Sequence, residues 1–270
     1  MTTAPDDFLA LHVPGRPLLL PNPWDLGSAR LLVGLGARAL GTTSAGLAGA
    51  GGRPDGQVGR DEALAHAAAV AAAVPVPVSA DLENGYADDP DGVAATVALA
   101  AQAGLAGCSV EDWDPVREQP YPLEHAVERV AAAAATARRT GVVLTARADA
   151  GFHGSTDLDD AVRRLVAFAE AGAPVVYAPG HQSASAVRTL AGAVAPTGAR
   201  LNVIALPGTP AVAELAASGV ARVSTGSGLY WAAMGGLVGA ARELLEQGTY
   251  GFWQEAATGR AEGGRAFADS

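Results

Sequence analysis

The sequence predicts a parallel (β/α)8 barrel in a single domain, and three observations carry that prediction. Short apolar runs alternate eight times with helix-length Ala/Leu/Val segments. Several of these runs end abruptly in charge, and glycines fall where the intervening helices should stop. The 270 residues are 49% hydrophobic, enough for one large core, and α/β barrels commonly reach this length undivided. Strict alternation of this kind suits a parallel sheet wrapped by helices, with an open doubly wound sheet as the other arrangement of the same elements.

The expected strands are Leu18–Pro21, Arg38–Thr42, Val76–Ala80, Gly107–Val110, Val142–Ala146, Pro174–Tyr177, Leu201–Ile204 and Ala221–Ser224. Between and after them the helical period predicts Ser28–Leu35, Asp61–Ala73, Pro90–Ala103, Leu123–Arg139, Leu158–Ala171, Ala184–Val194, Pro210–Ala217 and Leu229–Gln247. Asp61, Asp157 and the Asp159–Asp160 pair mark helix starts, whereas Gly104, Gly141, Gly172 and Gly219 mark ends. No linker, charge block or solenoid repeat divides the chain, so residues 1–270 form one domain, with 248–270 as a C-terminal extension. The aromatics Tyr250, Phe252 and Trp253 in that extension are expected on the outer ring of the barrel or on a neighbouring subunit.

Charge and composition narrow the function. A formal net charge of −10 and a pI near 4.9 argue against a nucleic-acid or anionic-membrane surface, which would need clustered Lys and Arg. The Ala-rich run Ala63–Val74 contains His66 and is too short for a bilayer, and Met1–Asp7 has no basic, apolar signal character. The expectation is therefore a cytoplasmic protein. The single cysteine, Cys108, excludes an intrachain disulfide.

The chemistry is expected at the carboxyl ends of the strands, where parallel barrels gather their reactive groups. The third strand runs into Asp81 and Glu83, the fourth into Glu111 and Asp112, and the fifth into Arg147 and Asp149. Carboxylates brought together repel unless a proton or cation stands between them. Asp and Glu oxygens with water are the ligands that Mg²⁺ or Mn²⁺ prefers. The five histidines are scattered without zinc spacing. Alternation along the strands sets Ser79 with Asp81, Ser109 with Glu111 and Thr145 with Arg147, and turns Cys108 outward as a small buried hydrophobe. Arg147 suits a substrate carboxylate, or else a structural ion pair with Glu111 or Asp112. Thr43, Ser44, Ala45 and Gly46 can present backbone N–H groups to an oxyanion. The sixth strand adds Tyr177 and His181, and the eighth Ser224, Thr225 and Gly226.

Pro21-Asn22-Pro23-Trp24-Asp25, Thr42-Thr43-Ser44, Pro54-Asp55-Gly56, Arg60-Asp61-Glu62, Ala80-Asp81-Leu82-Glu83 with Gly85-Tyr86, Val110-Glu111-Asp112 and Ala146-Arg147-Ala148-Asp149 occur in this order. Over residues 17–245 this combination resembles the isocitrate lyase/phosphoenolpyruvate mutase superfamily. The resemblance implies a barrel whose last helix is exchanged between subunits of a homodimer or homotetramer. It also implies a small carboxylate substrate on Mg²⁺, with Mn²⁺ as a substitute. By position, Asp81 and Glu111 would hold the metal, and Ser44, Ala45 and Gly46, with Trp24 and Thr43 beside them, would cradle the substrate. Arg147 would anchor the substrate, Asn202 would reach its carboxylate, and Asp55 would lie near the reacting atoms.

Three departures qualify the resemblance. Ser79 stands where the superfamily carries a further metal-shell Asp, leaving Glu83 as the substitute. The lyases' cysteine loop after the fourth strand is replaced by Trp113-Asp114-Pro115-Val116-Arg117-Glu118-Gln119-Pro120, so no cysteine can protonate a leaving carbanion there. The mutases' Lys and Asn in that loop are also missing, which weakens phosphoryl transfer; the resemblance as a whole is to a mutase-like branch lacking the lyase cysteine loop. Asp55, Tyr86 and Tyr177 remain as acid–base groups. The expected activity is a Mg²⁺-dependent carbon–carbon lyase on a small 2-oxo or 2-hydroxy acid. It would be oxaloacetate decarboxylase-like or isocitrate/methylisocitrate lyase-like, acting through an enolate. The alternatives are a phosphonopyruvate hydrolase or phosphoenolpyruvate mutase, and a non-catalytic barrel that binds 2-oxo acids.

Overall fold

The structure, a computed structural model, describes residues 5–268; the reading of Met1–Asp7 therefore rests largely on residues outside that range. Eight parallel strands form one sheet: β1 (Leu18–Leu20), β2 (Leu40–Gly41), β3 (Val78–Asp81), β4 (Gly107–Glu111), β5 (Val143–Arg147), β6 (Val175–Tyr177), β7 (Arg200–Ile204) and β8 (Arg222–Ser224). Their order is β1-β8-β7-β6-β5-β4-β3-β2. The seam between β1 and β2 is joined just beyond β1, where Gly41 N–H donates to the Pro21 carbonyl at 3.1 Å and Asn22 Nδ2 donates to the Thr42 carbonyl at 2.9 Å. The sequence-predicted barrel is thus observed, with each predicted strand present.

Helix α1 (Pro5–Ala10) precedes the barrel. After β1 comes α2 (Leu26–Gly34), and after β2 come α3 (Ser44–Ala50) and α4 (Arg60–Ala73). The strands β3 to β8 are followed in turn by α5 (Pro90–Gln102), α6 (Leu123–Thr140), α7 (Leu158–Glu170), α8 (Ala184–Val194), α9 (Val212–Ala217) and α10 (Gly228–Arg242). Helix α11 (Trp253–Ala268) ends the described chain. Caps are those the side chains dictate. Asp25, Asp89, Asp157 and Ser183 each accept a backbone N–H from the first turn that follows, satisfying donors that have no partner within the helix. Asp61 lies inside the first turn of α4 rather than before it, where its charge favours the positive end of the helix dipole. Gly141, at φ 80°, ends α6 in the left-handed conformation that glycine adopts without a Cβ penalty.

Strand alternation divides the apolar residues into two layers. Ala80, Cys108, Val110, Leu144, Ala146, Val176 and Val223 face the helices and pack with α4 to α8. This is the outward environment expected for Cys108, and burial pushes its thiol up to about 12. Inside the barrel, Leu18, Leu20, Ala39, Ala106, Val143 and Val175 close around Phe8, which is 0% exposed and plugs the amino-terminal end from α1. Full burial of such a ring contributes on the order of 2–3 kcal/mol. The sequence prediction missed α1. Gly107 is the residue that admits it, because a Cβ there would stand 2.7 Å from the Phe8 ring.

His12 follows the plug. Its Nδ1–H donates to the Phe8 carbonyl at 2.9 Å, and its Nε2 accepts from Arg222 Nη1 at 3.3 Å. Burial and the Arg222 charge hold the imidazole neutral, pulling its pKa down to about 3. The unfolded chain takes up this proton near pH 6.5, whereas the folded chain resists it down to about pH 3. Stability should therefore fall with decreasing pH across that window, by about 1.4 kcal/mol per unit from this group alone. Urea unfolding of the wild type and His12→Asn at pH 7.5 and 5 checks this, and the substitution is expected to flatten the dependence.

Beyond β8 the chain leaves the barrel. Within α10 only Tyr230 is buried, while Trp231, Leu237 and Val238 are exposed, as are Leu244 and Leu245 in the π-helical turn Glu243–Gln247. Glu243 then accepts from Thr249 Oγ1 at 2.7 Å, from Phe252 N–H at 2.9 Å and from Gly251 N–H, turning the chain into α11. Helix α11 packs back on α2, where a Cβ on Gly34 would meet Ala266 Cβ at 3.0 Å. Of the extension's aromatics, Phe252 is half-buried, whereas Tyr250 and Trp253 remain exposed.

Candidate active site

A cavity of about 760 Å³ opens at the carboxyl ends of the strands. Six carboxylates line it (Asp55, Asp81, Glu83, Glu111, Glu118 and Asp149) against two guanidinium groups, Arg147 and Arg222. The acidic strand ends foreseen in the sequence therefore converge on one space.

Arg147 organises the floor. Its Nη1 lies 3.1 Å from Asp81 Oδ1 and 2.9 Å from Glu111 Oε1, and its Nε lies 2.9 Å from Asp149 Oδ1. The three carboxylates raise the guanidinium pKa against the lowering effect of burial. Arg147 is thus engaged with Glu111, one of the structural pairings considered for it. Asp112 instead faces outward and pairs with Arg164 at 3.0 Å. It also accepts from Asp149 N–H at 2.8 Å, which ties β4 to the end of β5.

Both carboxylate oxygens of Asp81 accept hydrogen bonds from the protein. Its Oδ2 accepts from Ser44 N–H and Ser44 Oγ, both at 3.1 Å, and its Oδ1 accepts from Ser109 Oγ at 3.3 Å as well as from Arg147. This revises the expected N–H cradle. Ser44 N–H points to Asp81, Gly46 N–H donates to its capping residue Thr43 at 3.3 Å, and Ala45 supplies the remaining N–H at the cavity wall.

Glu83 and Glu111 have the electrostatics of a site that attracts positive charge. Glu83 Oε1 is buried with no hydrogen-bond partner. Burial first, then Asp81 and Asp55, push its carboxyl up to about 7. Burial also raises Glu111 well above the ordinary carboxylate range despite Arg147. Asp55, on the loop after β2, is raised by burial and by Asp81. The backbone is strained in the same place. Glu83 and Tyr86 adopt φ of 46° and 56°, the left-handed region that non-glycine residues seldom occupy, and such outliers cluster at functional sites. The buried Arg129 clamps this turn to β4 by donating to the carbonyls of Glu111 (3.1 Å), Ala87 (3.0 Å) and Asn84.

Most of the residues anticipated from sequence meet at the cavity: Thr43, Ser44, Ala45, Asp55, Asp81, Glu83, Glu111, Arg147 and Asn202 all line it. Trp24, Gly46 and Tyr86 do not. Trp24 lies against Gly46 and meets Tyr230 edge-on at 5.6 Å. A Cβ on Gly46 would stand 2.6 Å from Thr43 Cγ2, so this glycine serves the tight α3 turn. Tyr86 packs among Ala48, Val58 and Ala63, and burial drives its hydroxyl pKa far up, which opposes a role as a base. Sequence reasoning passed over two features. Arg222 lines the cavity from β8, as its parity with Ser224 could have indicated. Trp113 and His153 also line it, stacked with ring centroids 3.6 Å apart and planes 4° from parallel. No local pattern joins those two, since they come from different loops.

The donor chemistry was tested against a divalent ion. Among the described residues no three His, Cys, Asp or Glu side chains are arranged as a set that could hold a metal ion by themselves. The orphaned Glu83 oxygen and the excess of carboxylates over guanidiniums nonetheless fit a hard cation that keeps much of its water, and Mg²⁺ binds in that manner. A cation brought among Asp81, Glu83 and Glu111 would reverse the upward shifts of the two glutamates.

Residues 8–245 match the phosphoenolpyruvate phosphomutase family. The chain belongs to that family. Among solved structures, a protein of Burkholderia cenocepacia J2315 provisionally described as a lyase/mutase is 46% identical, with 94% of this chain and 91% of that one covered and a TM-score of 0.89. A 2,3-dimethylmalate lyase of the PEP mutase/isocitrate lyase superfamily is 28% identical over 93% of this chain and 90% of its own, with a TM-score of 0.82. An oxaloacetate acetylhydrolase bound to its product oxalate reaches the same score at 26% identity, over 91% and 88%. The family thus lies within a superfamily of lyases, mutases and hydrolases of small carboxylates, enzymes that are typically Mg²⁺-dependent. Among the described residues no helix is long and apolar enough to cross a membrane.

Proposed function

We propose that this family member is a Mg²⁺-dependent carbon–carbon lyase acting on a small 2-oxo or 2-hydroxy carboxylic acid. The observation that carries the reading is the convergence of Asp81, Glu83 and Glu111 around Arg147 at the strand ends, with one glutamate oxygen left without a partner. In this reading Asp81, Glu83 and Glu111 hold the ion, directly or through water. An ion held there would contribute Lewis-acid stabilisation of developing negative charge. Arg147, whose contacts with three carboxylates take four of its five N–H donors, fixes their positions and offers the fifth to the substrate head. The Ala45 N–H and Asn202 meet the substrate carboxylate. Asp55 carries a raised pKa, which suits it to return a proton to the carbon released by cleavage. Oxaloacetate-type decarboxylation asks least of these groups, because CO₂ departs without an acid. The exposed apolar face of α10 supports exchange of that helix between subunits of a homodimer or homotetramer.

Assays of pyruvate release from oxaloacetate and 2-methylisocitrate, and of glyoxylate release from isocitrate, each with Mg²⁺ and with EDTA, test the proposal. Turnover of one substrate that EDTA abolishes is the expected result. Phosphate release from phosphonopyruvate would replace the reading with a phosphonate hydrolase. Tight Mg²⁺-dependent oxalate binding without turnover of any oxo acid would make the chain a binding protein.

A further inference from the structure

The six cavity carboxylates are not spread evenly. Three of them meet Arg147 directly, whereas among the described residues Arg222 has no carboxylate within ion-pairing distance. Arg222 is only 4% exposed, yet it lines the cavity. Its Nε donates to Asn202 Oδ1 at 2.8 Å and its Nη1 to the neutral His12 Nε2 at 3.3 Å. A guanidinium has five N–H donors, so with these two engaged, three have no acceptor among the described residues. The neighbours are uncharged. Asn202 Nδ2 donates onward to Ser224 Oγ at 3.0 Å, and Tyr177 lines the same wall. After burial, the groups that couple to Arg222 are the Tyr177 hydroxyl, which favours its charge, and Arg147, which has the same sign and opposes it.

A buried cation without a counter-ion is costly, and proteins normally pair such groups. Burial lowers Arg222 only to about 10, so it stays charged at neutral pH. The β8 wall of this cavity is therefore positive, facing the acidic floor at β3 and β4.

We propose that Arg222, supported by Asn202 and Ser224, is a second oxyanion subsite that takes the far-end acid group of the substrate. The proposal rests on the lyase reading for the position of the 2-oxo or 2-hydroxy head and adds the substrate class. The molecule is a short diacid whose head faces Asp81 and Glu111 while its second anionic group, a carboxylate or a phosphonate, sits on Arg222. Paired N–H donors of one guanidinium match either group. A 2-oxo acid with an uncharged tail would leave the guanidinium without an anion and bind less tightly.

The test compares wild type, Arg222→Gln and Arg222→Lys by calorimetry with Mg²⁺ and three probes: malate, phosphonopyruvate and 2-oxobutanoate. Arg222→Gln should weaken malate or phosphonopyruvate binding by 10–100-fold and leave 2-oxobutanoate within about twofold, whereas Arg222→Lys keeps part of the diacid preference. Loss confined to malate identifies the far group as carboxylate, and loss confined to phosphonopyruvate identifies it as phosphonate. Equal weakening of all three probes, or none, overturns the subsite. Thermal unfolding with succinate in EDTA separates this result from the lyase reading, since succinate lacks the 2-oxo head. A succinate-induced shift present in wild type and lost in Arg222→Gln sustains the subsite even if the lyase reading fails. If the variant melts lower but still gains the wild-type succinate shift, Arg222 is only a strut for the His12 plug and the proposal is wrong.

Discussion

Asp81→Ala is expected to lower Mg²⁺-dependent turnover by about three orders of magnitude or more, the scale at which a metal-assisted route is lost, while the barrel stays folded. The two halves of that expectation have different sources. Asp81 stands at the centre of the site, touching Ser44, Ser109 and Arg147 and lying close enough to Glu83 and Glu111 to raise both. No neighbour can take its place, because Ser79, the next inward residue on β3, offers a hydroxyl rather than a carboxylate. Stability should change much less. Removing the carboxylate costs its bonds to Ser44 and Arg147 but relieves repulsion from Glu83 and Asp55, and Arg147 keeps Glu111 and Asp149. Calorimetry with Mg²⁺ and oxalate, run beside circular dichroism, reads both. Wild-type binding of metal and oxalate by a folded Asp81→Ala protein would remove Asp81 from the metal site.

Much of this site was legible because barrel strands obey two local rules. Side chains alternate, so sequence alone assigns Asp81, Glu111 and Arg147 to one face and Cys108 to the other. Chemistry gathers at strand ends, so an Asp or Glu closing an apolar run stands out. The less legible residues depend on contacts between distant segments. Arg222 has inward parity, but only the closed barrel reveals that no carboxylate reaches it. The stack of Trp113 on His153 joins the β4–α6 loop to the turn after β5, forty residues apart by number. Tyr86 could not be placed from sequence for a related reason. It follows the Asp81–Glu83 run closely, but the left-handed turns at Glu83 and Gly85 set its ring against Ala48, Val58 and Ala63, with its hydroxyl still coupled to Glu83, Asp81, Glu111 and Asp55. The occupied N–H groups at the start of α3 follow from pairing as well. Ser44 is free to face a ligand in sequence, whereas in the fold it meets Asp81 across the β2–β3 junction.

Arg147→Gln should destabilise the folded chain by about 3–5 kcal/mol near neutral pH, the usual cost of removing one partner from a buried ion pair. Asp81, Glu111 and Asp149 would then face one another with Arg222 as the remaining cavity guanidinium, on the far wall and joined to none of them. The sign of the pH dependence follows. Burial already holds Glu111 above the ordinary carboxylate range, and without Arg147 it rises further. The variant's deficit should therefore be largest above that raised range and shrink as pH falls and Glu111 protonates. A divalent cation supplies the missing charge in another way. If Asp81, Glu83 and Glu111 form a metal site, millimolar Mg²⁺ should recover part of the lost melting temperature in Arg147→Gln, and should recover none of it in the Arg147→Gln/Asp81→Ala double variant. Equal Mg²⁺ effects on both proteins would show that the acidic floor is held together by Arg147 alone and does not select a metal.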